Sequence, residues 1–390
     1  MSTVKVNAIR STSGSSDAIT LNSSSGVTAI NGASLKAHNL IINGAFTVAQ
    51  RGTSATAEEY ATVDRFELSH GGEDEDCTQA QHALTSSDTG PWAKGFRYSY
   101  HITNGNQTSG GDAGDFCFIR YRAEAQDIAS SGWDYTSASS YVTLSFWVKA
   151  SVAQNYYGYI RTDDGTSQGY PFQTGSLSAN TWTKITKTIP GNSNITVNND
   201  NGIGLEIHFV QYLGTNYTGS GVTLDAWATY NTSARMADNT DDWWDTDNAT
   251  FEITGVQLEV GATASEYMHE SYGETLAKCQ RYYYKHLSGN NLVVSLGFSS
   301  ATDHVSGYIQ FPTTMRATPS IDHTYGDNYY RLGAGNLGGD KYIDGAWALQ
   351  GKTDQSTRIY ATPQSTLTAG EPGLVDTTNA SASMAFSAEL

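Results

Sequence analysis

Tyr141-Val-Thr-Leu-Ser-Phe-Trp-Val-Lys149 alternates without interruption. Successive side chains of an extended chain point to opposite faces, so Val142, Leu144, Phe146 and Val148 share one face. Tyr141, Thr143, Ser145, Trp147 and Lys149 share the other. The spacing predicts a strand with one core face and one outward face. The same texture recurs at 96–102, 116–121, 182–189, 205–210 and 251–260, separated by turn signals such as Asn104-Gly105, Asp164-Gly165 and Asn201-Gly202. Many short strands without interleaved helices imply an antiparallel sandwich and exclude a doubly wound parallel sheet.

Composition agrees. Of 390 residues only 16% are charged, while Gly numbers 39 and Tyr 24, the palette of strands and turns. Lys plus Arg is 22 against 39 for Asp plus Glu, giving 22 − 39 = −17. Such a field repels phosphate backbones and anionic membrane surfaces, so neither nucleic acid nor membrane insertion is expected. The opening residues lack the apolar run of a secretory signal, and no run approaches the length of a membrane span. Cys77, Cys117 and Cys279 show no C-x-x-C spacing and read as reduced thiols, with spacing alone leaving a Cys77–Cys117 bridge open.

Four segments follow. Residues 1–36 carry brief alternating runs (Val4, Val6, Ala8; Ile19, Leu21) between glycines, too small to bury much alone, and read as an attachment or assembly segment. Residues 37–270 hold the sandwich. Ser271-Tyr-Gly-Glu274 has the form of a capping box, which places a short connecting helix within 271–286, extending to about 284. Strand texture resumes at 292–298, 305–311 and 358–361, so 287–390 reads as a smaller C-terminal β domain, a possible recognition tip, with a Gly-rich stretch between Gly326 and Gly339.

Catalytic motifs are sparse. Gly165-Thr-Ser167-Gln-Gly169 matches G-x-S-x-G, but Asp163-Asp164-Gly165 reads as a hairpin turn and no helix follows, so Ser167 reads as a loop residue. No P-loop, H-E-x-x-H or EF-hand loop is present. No cofactor is expected. Glu73-Asp-Glu-Asp76 and the acidic stretch 238–247 are candidates for structural calcium or plain solvated faces. The aromatics carry more. Tyr156, Tyr157, Tyr159, Tyr170, Trp227, Trp243 and Trp244 sit among polar and Gly residues, as do Tyr325, Tyr329, Tyr330 and Trp347 in the C-terminal domain. Flat rings beside amides and carboxylates suit stacking on sugar faces, whereas the same rings in a sheet more often fill a core.

A resemblance now enters. Asn39-Leu-Ile-Ile-Asn-Gly-Ala-Phe-Thr-Val-Ala-Gln-Arg-Gly52, Val63-Asp-Arg-Phe66, Val142-Thr-Leu-Ser-Phe-Trp-Val-Lys-Ala-Ser151, Val256-Gln-Leu-Glu-Val-Gly261 and Cys279-Gln-Arg-Tyr-Tyr283 resemble, in order and spacing, the blocks of bacteriophage tail fibre proteins over 39–285. The opening Met1-Ser-Thr-Val-Lys-Val-Asn-Ala-Ile-Arg10 is similar to short fibres of marine T7-like podoviruses, the cyanophage type. Gly307-Tyr-Ile-Gln-Phe-Pro312, Met315-Arg-Ala-Thr-Pro319 and Ala388-Glu-Leu390 are similar to fibre C-terminal domains. The large adaptor-binding domain of the longest T7-type fibres is missing from the N-terminal segment.

The resemblance implies a virion structural protein without catalysis, made in the host cytoplasm and located in the tail. It implies a homotrimer with a carbohydrate-binding-like jelly roll and a smaller C-terminal β-sandwich. The N-terminal segment would contact other tail or virion proteins, and bacterial surface polysaccharide would be the receptor. Leu276, Cys279 and Tyr283, spaced by three and four, form an apolar stripe that three helices could bury about one axis. The candidate glycan residues are Tyr156, Tyr157, Tyr170, Trp243, Trp244, Tyr325, Tyr329, Tyr330 and Trp347. A polysaccharide depolymerase tailspike and a head or tail decoration without receptor contact are the competing readings.

Overall fold

The computed structural model describes residues 8–10, 17–22, 26–30, 33–34, 39–333 and 340–390. In the N-terminal segment, Ala8–Arg10, Asp17–Asn22, Gly26–Ile30 and Ala33–Ser34 pair antiparallel in chain order as a four-stranded sheet. Val4 and Val6 lie outside the described residues, as does 334–339 of the Gly-rich stretch.

The chain divides into two units, and the main change falls between Glu270 and Ser271. The first unit is an antiparallel jelly-roll sandwich. One sheet runs, neighbour to neighbour, Thr183–Pro190, Tyr141–Ala150, Thr250–Val260, Tyr98–Thr103 and Thr78–Ala83. The other runs Ala228–Thr229, Gln168–Ser176, Asn155–Thr162, Ile203–Leu213, Phe116–Glu124 and the end of Phe66–Gly71. Val142, Leu144, Phe146 and Val148 are buried as the alternation requires. The Phe146 ring meets Phe209 of the facing sheet edge-on at 4.9 Å. The opposite face is less open than alternation alone predicts. Thr143 and Ser145 are buried too, because the chain after Val260 folds back over them. Thr143 donates to Gly261 O at 2.8 Å, and Gln257 and Glu259 bond Ser265.

Asp163-Asp164-Gly165 is the expected hairpin turn, with Gly165 at φ +63°. Asn104-Gly105 is not a hairpin. Asn104 is buried, and its amide donates to the carbonyls of Trp243, Trp244 and Thr246 at 3.2, 2.6 and 3.2 Å. The three cysteines are free thiols. Cys77 and Cys117 lie with sulfurs 3.8 Å apart.

The second unit comprises 271–390 together with 47–55 and 59–67. Tyr283–Ser288, Ser383–Ser387 and Ser320–Thr324 make a three-stranded sheet. Seven strands make another, in the order Lys341–Ile343, Tyr330–Gly333, Pro372–Thr377, Val293–Ala301, His304–Gln310, Ser356–Ala361 and Ala348–Gln350. Val305, Ile309, Ile359, Val375, Met384 and Phe386 sit in its core. The helix is Tyr272–Gln280, and the Ser271–Glu274 capping box is formed in both directions. It ends four residues short of the expected 284, where the chain enters the strand beginning at Tyr283.

The early segments belong here for an electrostatic reason. Glu389 accepts from Arg65 at 2.5 Å and from Arg51 at 3.2 Å. The Arg65 guanidinium lies 3.4 Å over the Tyr282 ring and that of Arg51 3.6 Å over Tyr283. Four of the quoted sequence blocks therefore meet in one buried cation cluster.

Candidate functional site

In the first unit, Gln168–Ser176 forms the hairpin with Asn155–Thr162, and its start pairs with the two-residue edge strand Ala228–Thr229. The chain around that edge strand folds over the outer face of the sheet. Tyr217, Tyr230 and Met236 pack on Phe118, Tyr159, Val210 and Leu213. Between strand and fold-over lies a cavity of about 390 Å³, within the range of small-ligand clefts, flanked by Gly169, Pro171, Thr223, Trp227, Tyr230 and Asn231.

Each ring is held. Trp227 donates its indole N–H to Pro190 O at 2.7 Å and packs at 5.2 Å on Tyr170. Tyr230 donates its backbone N–H to Ser167 O at 2.8 Å, and its ring lies 4.8 Å from the Arg161 guanidinium. A Cβ on Gly169 would come within 3.3 Å of that ring, so the missing side chain leaves Tyr230 its place. Both aromatics remain half-buried. The cleft thus offers two fixed ring surfaces beside an amide and hydroxyls. None of its lining residues is Asp, Glu or His.

Arg161 is oriented from behind by Asp163 at 2.7 Å and Glu206 at 3.4 Å. Glu206 also meets Arg122 at 3.1 Å and His208 at 3.2 Å. Burial works against its charge, yet the His208 contact and the arginines outweigh it and hold the carboxyl far below its ordinary range. His208 stacks on Tyr159 at 4.1 Å, and burial pushes its pKa down to about 4. A second groove, of about 250 Å³, lies on the other sheet among Trp147, Tyr267, His269, Lys94, Lys184 and Glu266.

Most rings read from sequence as sugar platforms are core, which corrects that reading. Trp243 and Trp244 are fully buried, donating to Thr250 O at 3.2 Å and Gly110 O at 3.3 Å. Tyr156 is buried against Phe251 with its hydroxyl on Val152 O at 3.0 Å. Tyr170 is buried behind Trp227, its phenol pushed by burial up to about 12. Tyr330 and Trp347 meet edge-on at 5.6 Å inside the second unit, where the Tyr330 hydroxyl donates to Ser383 O at 2.7 Å. Tyr157 and Tyr329 are half-buried, and Tyr325 is exposed, stacked on His323 at 5.0 Å. Aromatics carry the largest apolar area per residue, and for the six buried rings burial prevailed, with the polar tip satisfied in Trp243, Trp244, Tyr156 and Tyr330. Trp227 was visible in the sequence. Tyr230 carried no signal there, because its partner strand is fixed only by the fold-over.

The helical stripe is also corrected. Cys279 is fully buried within its own chain, Tyr283 belongs to a strand under Arg51, and only Leu276 is half-buried on the helix. Ser167 lies on the hairpin connection with no helix after it.

In the acidic stretches, Asp74 accepts from Ser109 N–H at 2.7 Å and Glu75 from Asn106 N–H at 2.8 Å. These carboxylates hold a neighbouring loop, and the Ser109 bonds lower the Asp74 pKa. Two other groups, Glu58–His70–Glu73 and His82–His101–Glu252, each bring three metal-ligating atoms within 4.8 Å of one another. Among the described residues no helix is long and apolar enough to cross a membrane.

Set beside known proteins, the chain matches no family model and no curated protein sequence. Among solved structures it is similar to a family 4 carbohydrate-binding module, at 13% identity and TM-score 0.30 over 56% of this chain and 98% of that one. The N-terminal cellulose-binding domain of Cellulomonas fimi β-1,4-glucanase C matches at 8% identity and TM-score 0.28, over 56% of this chain and 100% of that one. A xylan-binding domain from Paenibacillus barcinonensis matches at 9% and 0.27, over 58% and 97%.

Proposed function

We propose that this chain is the subunit of a homotrimeric bacteriophage tail fibre that binds bacterial surface polysaccharide without cleaving it. The observation that carries the reading is the outward face of the seven-stranded sheet. Val293, Leu296, Phe298, Tyr308 and Leu374 are all exposed there, on three adjacent strands. Leu296 pairs directly with Leu374 across one strand boundary, and Tyr308 stands on the strand at the other side. A contiguous patch of large apolar and aromatic side chains on a sheet face is the composition of a subunit contact. Its occupants are the equivalent patches of the two other copies, gathered about a threefold axis, because closed symmetry buries the patch in every copy at once.

Recognition falls to the Trp227–Tyr230 cleft. Its lining lacks the pair of carboxylates that glycoside hydrolysis needs, which favours binding over a depolymerase. Three clefts per fibre, and several fibres per particle, multiply weak sites into useful avidity. Other virion proteins would be met through the 1–36 segment. The test is purified full chain offered to host cells and to their extracted polysaccharide. Saturable binding that weakens in Trp227→Ala, with no oligosaccharide released, supports the proposal. Release of reducing ends would favour the depolymerase, and absence of binding a decoration subunit without receptor contact.

A further inference from the structure

We propose a divalent transition-metal site, of the kind zinc occupies, formed by Glu58, His70 and Glu73 in the first unit. His70 stands on Phe66–Gly71, and the chain then turns sharply through Gly71 and Gly72 to bring Glu73 back. Gly72 has φ +86°, and a Cβ there would fall 2.0 Å from an Asp115 carboxylate oxygen, so this return admits only glycine. It places His70 Nδ1 2.5 Å from Glu73 Oε1. Glu58 arrives from a separate segment, whose neighbour Ala57 accepts from the Gln79 side chain at 2.7 Å. A ring nitrogen of His70 and an oxygen of each glutamate lie within 4.8 Å of one another.

The second observation concerns hydrogen bonding. His70 is 2% exposed, and both His70 Nε2 and Glu73 Oε2 are buried without a hydrogen-bond partner. Buried polar atoms of this kind are costly unless something satisfies them. A cation held by His70 Nδ1 and the two carboxylates would replace the His70–Glu73 contact, give Glu73 Oε2 a partner and offset the negative charge gathered there. One nitrogen and two oxygens are the donor set of zinc and its neighbours in the transition series, with one position left for water. Calcium would need six to eight oxygens and gains little from an imidazole.

The other cluster lacks this character. Glu252 already meets Lys149 at 2.9 Å, His82 at 3.1 Å and Ser99 at 2.7 Å, so its charge is balanced by a fixed ammonium that repels a metal. The metal would link residue 58 to residue 70 and act as a staple within the jelly-roll unit.

The full chain, stripped with chelator, is titrated with Co²⁺ and then Zn²⁺. The expected result is one Co²⁺ per chain with visible ligand-field absorption, displaced by Zn²⁺, and a thermal midpoint raised by Zn²⁺. Glu58→Gln, an exposed change that leaves folding intact, weakens affinity tenfold or more, and His70→Ala abolishes binding. His82→Ala binds as the unaltered chain does. No stoichiometric Co²⁺ spectrum, unchanged affinity in Glu58→Gln, or loss of binding in His82→Ala would each overturn the site.

Discussion

Leu296 is the most exposed large apolar side chain among the described residues, and replacing it tests the assembly proposal directly. It is 80% exposed, with Val293 and Tyr308 at 59% and Phe298 and Leu374 at 45%. Fully burying one such side chain is worth about 1.5–3 kcal/mol, so closing the exposed part of Leu296 contributes about 2 kcal/mol per copy. Truncation to Ala removes roughly 1.5 kcal/mol of that per copy. A cyclic trimer carries the change three times, about 4.5 kcal/mol, or roughly a thousandfold in the monomer–trimer equilibrium. Leu296→Asp goes further, because an unpaired charge would have to lose its water at the contact.

The assay is light scattering coupled to size exclusion over a range of loading concentrations. The unaltered chain should read three times 42.0 kDa, about 126 kDa. Leu296→Ala should dissociate on dilution, and Leu296→Asp should run as a 42.0 kDa monomer. Circular dichroism should not change, since the side chain faces solvent within one chain. A monomeric unaltered chain at every concentration, or a Leu296→Asp trimer, refutes the reasoning.

Three further outcomes are expected. Trp227→Ala should weaken polysaccharide binding about tenfold, as loss of one stacking ring does, and should lower the melting midpoint, because it also removes the bond to Pro190 O and the cover over Tyr170; isothermal titration reads the first and calorimetry the second. Burial holds His208 near 4 against 6.5 when exposed, so the unfolded chain takes up the extra proton first and stability falls as pH drops from 6.5 towards 4. That loss is about 3 kcal/mol; His208→Gln should flatten this limb in urea titrations at about pH 7 and about pH 5, and an unaltered limb would remove His208 as its cause. Ser271→Ala, which removes the side-chain arm of the capping box and leaves the bond from the backbone N–H of residue 271 to Glu274, should cost the second unit about 1 kcal/mol in urea unfolding.

The strands were legible because alternation is a local signal. Tyr141–Ala150, Thr183–Pro190 and Thr250–Val260 fall within a residue or two of their sequence readings. The capping box was equally local and formed as written. What alternation does not encode is whether a second layer covers the outward face, which is why Ser145 is buried and why Trp243 and Trp244 are core rather than platform. The cleft depends on where residues 221–234 fold back onto Gly169 and Pro171, a tertiary event with no periodicity to announce it. Arg51, Arg65 and Glu389 were hidden for a related reason. They are distant in sequence, and the blocks that contain them stood out as recurring words while their contacts remained unseen.

That cluster also sets a timetable. Arg65 and Glu389 are 324 positions apart, so the second unit gathers segments from both sides of the jelly roll in the sequence and cannot mature as a local event. The entropy cost of loop closure rises with the logarithm of the separation, and contacts so distant slow folding, which leaves the intervening jelly roll free to fold first. A fragment spanning 271–390 would hold Glu389 without either of its arginines. Its natural complement is the peptide 47–67, and refolding should accelerate when that peptide is supplied.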